Sequence, residues 1–372
     1  MMRPLEGLLV LDFSTLLPGP MASLVLSEAG ARVVKIERPG RGDEMRSYEP
    51  KLGEDSVNFV MLNRGKQSIA IDLKDPGAVE RLKPLISRAD VVIEQFRPGV
   101  MDRLGLGYEA LRRINEKLIY CAITGYGQSG PKANVAAHDL NYMAQAGVLG
   151  LTKGADGAPG VPPILAADIA GGTYPAVINI LLALRQRDLT GRGSYLDIAM
   201  ADNLFTFNYW GLGNGFSGAG WPRAGEELVT GGTPRYQIYR TADGRYLAAA
   251  PLEDKFWENF TRIIGLVEEF RAPSADAKAA IAAVARIIAE KTAGEWEAAF
   301  EGQDVCCCVV ATLEEAANDP HFAARKLFSQ SLKAGGKEIP ALPLPLAPVF
   351  RNGTVRPTSP RLGETTDPLL TI

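Results

Sequence analysis

Apolar runs and helical periods alternate along the first 200 residues, and that alternation leaves the chain few folds to adopt. Residues 8–13 form an apolar run. S-T-L-L-P-G-P follows, then a helical segment closed by Gly30, then a second strand at 31–37. Residues 68–73, 90–94, 118–124 and 194–199 read as further strands. Helical segments separate them at 76–88, on to Asn115, and at 170–187. Strands separated by helices pair in parallel, because a parallel partner is reached only through a crossover. A parallel sheet is covered on both faces. The expected class is therefore α/β. The G-Y-G-Q-S-G-P segment at 125–131 follows a strand end, where open sheets of this kind place their ligands.

The second half reads differently. Glycine and proline crowd residues 211–234, which suggests a linker. Beyond it, R-Y-Q-I-Y-R-T-A-D-G-R-Y-L-A-A-A is a hairpin about Ala242, Asp243 and Gly244. Helices are expected at 255–264, 275–291 and 293–300, a strand at 305–311, a short helix near Leu313 and an extended, proline-rich tail from Pro340. A chain of 372 residues exceeds one ordinary core, so two domains are expected.

Several functions are disfavoured. P-G-P-M-A-S stands where a dinucleotide-binding unit carries G-x-G-x-x-G, the fingerprint that lets the backbone approach a pyrophosphate. A net charge of −3 gives no electrostatic reason to bind nucleic acid or a membrane. Cys306, Cys307 and Cys308 are adjacent, without metal-ligand spacing. With Cys121 they are expected to be reduced thiols, the run lying in a buried strand of a cytoplasmic protein. No metal is expected. The N-terminus lacks the apolar region of a signal peptide. The apolar stretch at 174–184 contains Pro175 and Asn179 and reads as a buried helix too short to span a bilayer.

Candidate chemistry sits in residues 136–172. His138 and Asp139 open the segment in A-A-H-D-L-N-Y. Asp168 closes it in I-L-A-A-D-I-A-G-G, with no Lys or Arg within ten residues. A carboxylate there is partly desolvated, which raises its pKa and suits it to proton transfer or nucleophilic attack. It could equally cap the following helix, and His138 alone could be a hydrogen-bonded structural histidine. Basic residues (Arg38, Arg41, Arg64, Lys66, Lys74, Arg97 and Arg103) gather near the expected strand ends, an arrangement that suits a ligand with several phosphates.

These motifs, in this order, resemble the CaiB/BaiF family, the class III CoA-transferases and their racemase relatives. The resemblance is carried by L-D-F-S-T-L-L-P-G-P at 11–20, G-A-R-V-V-K-I-E-R-P-G at 30–40 and L-N-R-G-K-Q-S-I-A-I-D-L-K at 62–74. F-R-P-G-V-M-D-R-L-G-L-G at 96–107, G-Y-G-Q-S-G-P, H-D-L-N-Y at 138–142 and L-T-G-R-G-S-Y-L-D-I-A-M at 189–200 extend it over nearly the whole chain. It implies a large Rossmann-like domain (1–200 and 318–372), a linker (201–222) and a small α+β domain (223–317), with two chains interlocked as a homodimer. It also implies a CoA-thioester substrate and no permanently bound cofactor. Arg38 is implied to lie against adenine. Ile71, Asp72, Leu73, Lys74, Phe96, Arg97, Arg103, Tyr126 and Gly127 are implied to line CoA.

Asp168 matches the catalytic aspartate of both branches of the family. H-D-L-N-Y resembles the racemase motif, which implies that His138 is the catalytic histidine. A-P-L-E-D-K-F-W resembles a racemase segment in which Glu253 would orient it. The branch implied is the α-methylacyl-CoA racemases, with transfer of CoA between carboxylic acids through an acyl-enzyme at Asp168 as the alternative. Ala137 and Cys306 depart from the family pattern, as does L-G-E-T-T in the tail. A test follows for the CoA-lining set. Arg38→Ala should raise KM with little change in kcat, the signature of lost uniform binding. Steady-state kinetics showing a fall in kcat at constant KM would contradict it.

Overall fold

A computed structural model describes residues 3–154, 156–350 and 358–365. The chain begins β1 (Leu9–Asp12), α1 (Pro18–Glu28), β2 (Arg32–Glu37), and a ribbon of β3 (Lys51–Leu52) and β4 (Asp55–Ser56). It continues α2 (Val57–Asn63), β5 (Gln67–Ala70), α3 (Ala78–Ile86), β6 (Val91–Glu94), α4 (Val100–Arg103), α5 (Tyr108–Ile114), β7 (Ile119–Thr124) and α6 (Asp139–Gln145). A π-helical turn, Ala167–Thr173, runs into α7 (Tyr174–Thr190), followed by β8 (Tyr195–Ala199), α8 (Met200–Asn203) and α9 (Tyr209–Ser217).

The sheet order is β5-β2-β1-β6-β7-β8, with every pairing parallel. Counted along the chain this is third, second, first, fourth, fifth, sixth: the doubly wound order that reverses between its first and fourth strands. The fold is thus the expected Rossmann-like α/β type. β1, β6 and β7 are buried along their whole length, as strands covered on both faces must be.

The reversal lies between β1 and β6, and two buried lysines shape it. Asp12 at the end of β1 is 0% exposed, as is Lys35. Lys66 Nζ contacts Asp12 Oδ2 at 3.2 Å, Asn63 Oδ1 at 2.8 Å and the Pro20 carbonyl at 2.8 Å. Lys35 Nζ pairs with Asp43 Oδ2 at 2.9 Å and donates to the Ser14 carbonyl at 2.7 Å. Asp43 Oδ1 accepts from the Leu16 amide at 3.1 Å. Leu16 is held at φ +62°, a left-handed conformation that non-glycine residues rarely adopt. The loop leaving β1 is therefore fixed at Ser14 and Leu16, and the start of α1 at Pro20. Its Gly19 amide donates to Gln95 Oε1 at 2.8 Å, across the reversal.

The chain divides into two compact units: residues 1–146, 163–207 and 323–372 in one, and 147–162 with 208–322 in the other. The second contains an antiparallel sheet, β9 (Gln237–Arg240), β10 (Tyr246–Ala249) and β11 (Cys307–Val309), in the order β11-β10-β9. The Asp243-Gly244 turn closes β9 and β10 with Gly244 at φ +79°. Around them lie α10 (Asp254–Ile264), α11 (Ala277–Ile288) and α12 (Ala293–Phe300), with Trp257, Phe260 and Trp296 in the core.

Four local readings are corrected. Much of 201–222 is helical. In α9 a Cβ at Gly215 would stand 2.4 Å from the Trp221 ring, and one at Gly211 2.9 Å from Pro222. Gly211 and Gly215 leave room on the helix face for the returning chain. The cysteine run is not buried, since Cys306, just before the edge strand β11, and Cys308 within it are exposed. α7 is buried on one side only, with Ile178, Leu181, Leu182 and Leu189 between 43% and 69% exposed. Its continuous helix with the π-turn, Ala167–Thr190, is long and apolar enough to cross a membrane by length and composition, and 44% of its most apolar window is buried. Finally, the expected extended tail begins inside a hairpin of Ser331–Ala334 and Lys337–Pro340. Much of the rest of it lies outside the described residues.

Removing one member of the buried charge cluster strands its opposite charges. Asp12→Ala leaves two buried lysines short of a partner and should destabilise the protein by about 3–5 kcal/mol, read by urea unfolding. A loss below about 1 kcal/mol would place the cluster among weak surface pairs.

Candidate active site

At the sheet's reversal, the carboxyl ends of β6 and β7 open into a cavity of about 430 Å³. Pro18, Gln95, Phe96, Arg97, Thr124 and Tyr126 line it, together with His138, Asp168 and Met200. Ligands bind at this place in doubly wound sheets because the helices on either side diverge there.

His138 precedes α6 as its N-cap, and its amide donates to Asn141 Oδ1 at 3.0 Å. That bond fixes the entry of the chain and leaves the imidazole exposed at the cavity. Tyr142, one turn on, donates to the Ala137 carbonyl at 2.8 Å. It packs so close to the end of β7 that a Cβ on Gly125 would lie 2.5 Å from its hydroxyl. Glycine at 125 is required by this contact.

Asp168 lies in the π-turn before α7. Such turns occur frequently at functional sites. Its own amide donates to Asp139 Oδ1 at 2.9 Å, and Asp139 is 6% exposed. One short segment, His138-Asp139, therefore supplies both the imidazole and the clamp for the facing carboxylate. Asp168 does not cap the helix through its side chain. Burial, then the neighbouring Asp139 charge, push its pKa up to about 6, while His138 opposes the rise. A carboxyl with such a pKa is suited to proton transfer near neutral pH. The amides of Asp168 and Ile169 do not point free into the site, because Asp139 and the Leu165 carbonyl accept from them.

The CoA-lining candidates divide. Phe96, Arg97 and Tyr126 share the cavity with His138 and Asp168. Arg38 lines a second cavity of about 880 Å³, with Arg41, Arg46, Lys51 and Arg361. Asp72, Lys74 and Arg103 are exposed, Leu73 is half-buried, and Ile71 and Gly127 are buried. Two members of the basic group are structural. Arg64 is 2% exposed and pairs with Glu28 at 2.8 Å, and Lys66 serves Asp12. Glu253 is the exposed N-cap of α10, in the second unit. Among the described residues, no group of three or more His, Cys, Asp or Glu could hold a metal.

Sequence reasoning named Asp139 without a role and passed over Gln95 and Glu94. Glu94 ends β6 nearly buried, and burial pushes its pKa up to about 7 against the Phe96 amide that donates to it. Its place in E-Q-F-R-P-G beside Gln95 was the available signal.

The sequence pattern of "CoA-transferase family III" matches residues 5–366. The human alpha-methylacyl-CoA racemase is 36% identical over 98% of this chain and 92% of its own length. The acetyl-CoA:oxalate CoA-transferase of Acetobacter aceti is 32% identical over 97% and 93%. A crystal structure of a CAIB/BAIF family protein from Brucella suis superposes with a TM-score of 0.83 at 29% identity, covering 98% of this chain and 97% of that one.

Asp139→Asn keeps an oxygen for the Asp168 amide but removes the like charge. The ionised form of Asp168 then becomes easier to reach, so its pKa falls. The acid limb of the kcat/KM–pH profile, near pH 6 in the wild type, should move to lower pH. A limb that stays in place or moves upward would show that Asp139 does not set it.

Proposed function

Because the chain belongs to CoA-transferase family III, the CaiB/BaiF proteins, as an enzyme of a superfamily containing both CoA-transferases and racemases, we propose that it inverts the 2-position of a 2-methylacyl-CoA thioester by two-base proton transfer. The observation that carries the reading is that His138 and Asp168 line one cavity. Inversion needs a proton taken from one face of the α-carbon and returned on the other, which one base does not easily accomplish. A neutral imidazole with a protonated carboxyl, or the reverse pairing, meets that need. In one direction His138 takes the α-proton and Asp168 delivers another to the opposite face. In the other direction the roles exchange. Glu253 is assigned to hold the histidine's tautomer, as the acid does in a catalytic triad.

Arg38 and the 71–74 segment are assigned to the nucleotide end of CoA. Phe96, Arg97, Arg103, Tyr126 and Gly127 are assigned to the arm leading to the thioester. Arg41 and Arg361, which line the cavity with Arg38 beside Glu44, Glu54 and Asp55, support this, since phosphates favour guanidinium partners. We assign the exposed apolar side of α7 to the contact between two copies in an interlocked homodimer, because patches of that kind mark interfaces.

The second reading is CoA transfer between carboxylic acids. The similarity to the acetyl-CoA:oxalate CoA-transferase favours it. Asp168 would then attack the thioester, forming a mixed anhydride and releasing CoA thiolate, and His138 would be idle.

The variants separate the two. Under the racemase reading, His138→Ala should abolish inversion yet leave solvent exchange for the enantiomer whose α-proton faces Asp168. Asp168→Ala should do the converse, and Glu253→Gln should weaken activity less. A fully active His138→Ala protein, with Asp168 trapped by hydroxylamine during turnover, would establish transfer instead.

A further inference from the structure

Thr124, the last residue of β7, is 7% exposed, yet among the described residues its Oγ1 finds no hydrogen-bond partner. A buried hydroxyl left unpaired is costly to the fold, and native proteins pair nearly all such groups. Thr124 lines the cavity shared by His138 and Asp168. Proton removal next to a thioester puts negative charge on the thioester oxygen, and that oxygen needs a donor.

Two backbone donors of the turn that bears Asp168 are committed. The amides of Asp168 and Ile169 serve Asp139 and Leu165. Tyr126 Oη is also unpaired, but its ring stands edge-on to Tyr142, with centroids 5.1 Å apart, and Lys132 Nζ is 5.8 Å from its centroid. Turning that ring leaves its oxygen on the same axis. Threonine behaves differently. One step of χ1 between staggered wells exchanges the hydroxyl with the methyl.

Resting on the functional reading above, we infer that the Thr124 hydroxyl donates to the substrate's thioester oxygen and is a catalytic residue. As the α-C–H bond breaks, its electron pair forms the C=C bond of an enolate and the carbonyl π pair moves onto oxygen. The proton goes to His138 or Asp168. Thr124 keeps its own proton and stabilises the oxyanion through the hydrogen bond. The electron pairs return when the opposite group protonates carbon.

Thr124→Val preserves shape and removes the hydroxyl, and Thr124→Ser preserves the hydroxyl. Both are compared with the wild type for α-hydrogen exchange of a 2-methylacyl-CoA in heavy water, with thermal unfolding checked in parallel. The valine variant should lose about 100-fold in kcat with KM within about twofold, and the serine variant should keep most of the rate. An unchanged kcat in Thr124→Val, or a change confined to KM, overturns the assignment. Equal losses in both variants overturn it too, because they would report packing. If the wild type exchanges no α-hydrogen, the racemase reading fails independently, and the variants are scored on CoA transfer. There, an unchanged kcat in Thr124→Val overturns the assignment.

Discussion

The buried charges at the carboxyl edge of the sheet govern what the rest of the first unit can do. Asp12 meets Lys66 directly, and Lys35 reaches Asp43 and the Ser14 carbonyl. Burying such ions costs several kcal/mol apiece unless partners surround them, and here the partners lie at Ser14 in the loop leaving β1, at Pro20 and Ser23 in α1, and at Asn63 and Asp43. Burial, opposed by Lys35, Lys66 and two serines, leaves the Asp12 pKa at about 2. Its carboxylate therefore stays charged across any working pH. The loop it anchors carries Pro18. The Pro18 carbonyl accepts from Thr173 Oγ1 at 2.8 Å, at the end of the turn that bears Asp168. A chain of contacts thus runs from a buried ion pair to the carboxylate assigned to chemistry.

The fold was legible because its signals are local and repeated. Apolar runs buried on both faces look the same wherever they occur, and glycines mark their edges, Gly30 before β2 and Gly125 after β7. The cavity's place followed from strand order, which the alternation of elements nearly dictates. Pairings between distant residues were not legible. Nothing near Arg64 or Lys66 in the sequence says that Glu28 and Asp12 will absorb their charges, so both looked available to a phosphate. The π-turn at Asp168 was hidden for the same reason. It depends on Asp139, 29 positions earlier, accepting from the Asp168 amide. In 211–222 the glycines suggested freedom, and the nearby Trp221 and Pro222 turned them into a packing surface.

The site's chemistry rests on environment more than on residue identity. An aspartate raised to about 6 by burial and a like charge is chemically suited to either proposed role, as acid or base near neutral pH or as a nucleophile. His138 across the same cavity has a use in inversion and none in transfer. Thr124 would serve either reaction, since both place charge on a thioester oxygen. The choice between them turns on the fate of one proton.

That proton can be followed directly. The wild-type protein is given a single enantiomer of a 2-methylacyl-CoA in heavy water, with a free carboxylic acid also present, and the products are read by mass and by chirality. Two-base inversion predicts one deuterium at the 2-position, loss of enantiomeric purity and no CoA on the added acid. CoA moved to the acid, with the 2-position undeuterated and its configuration retained, would contradict the account.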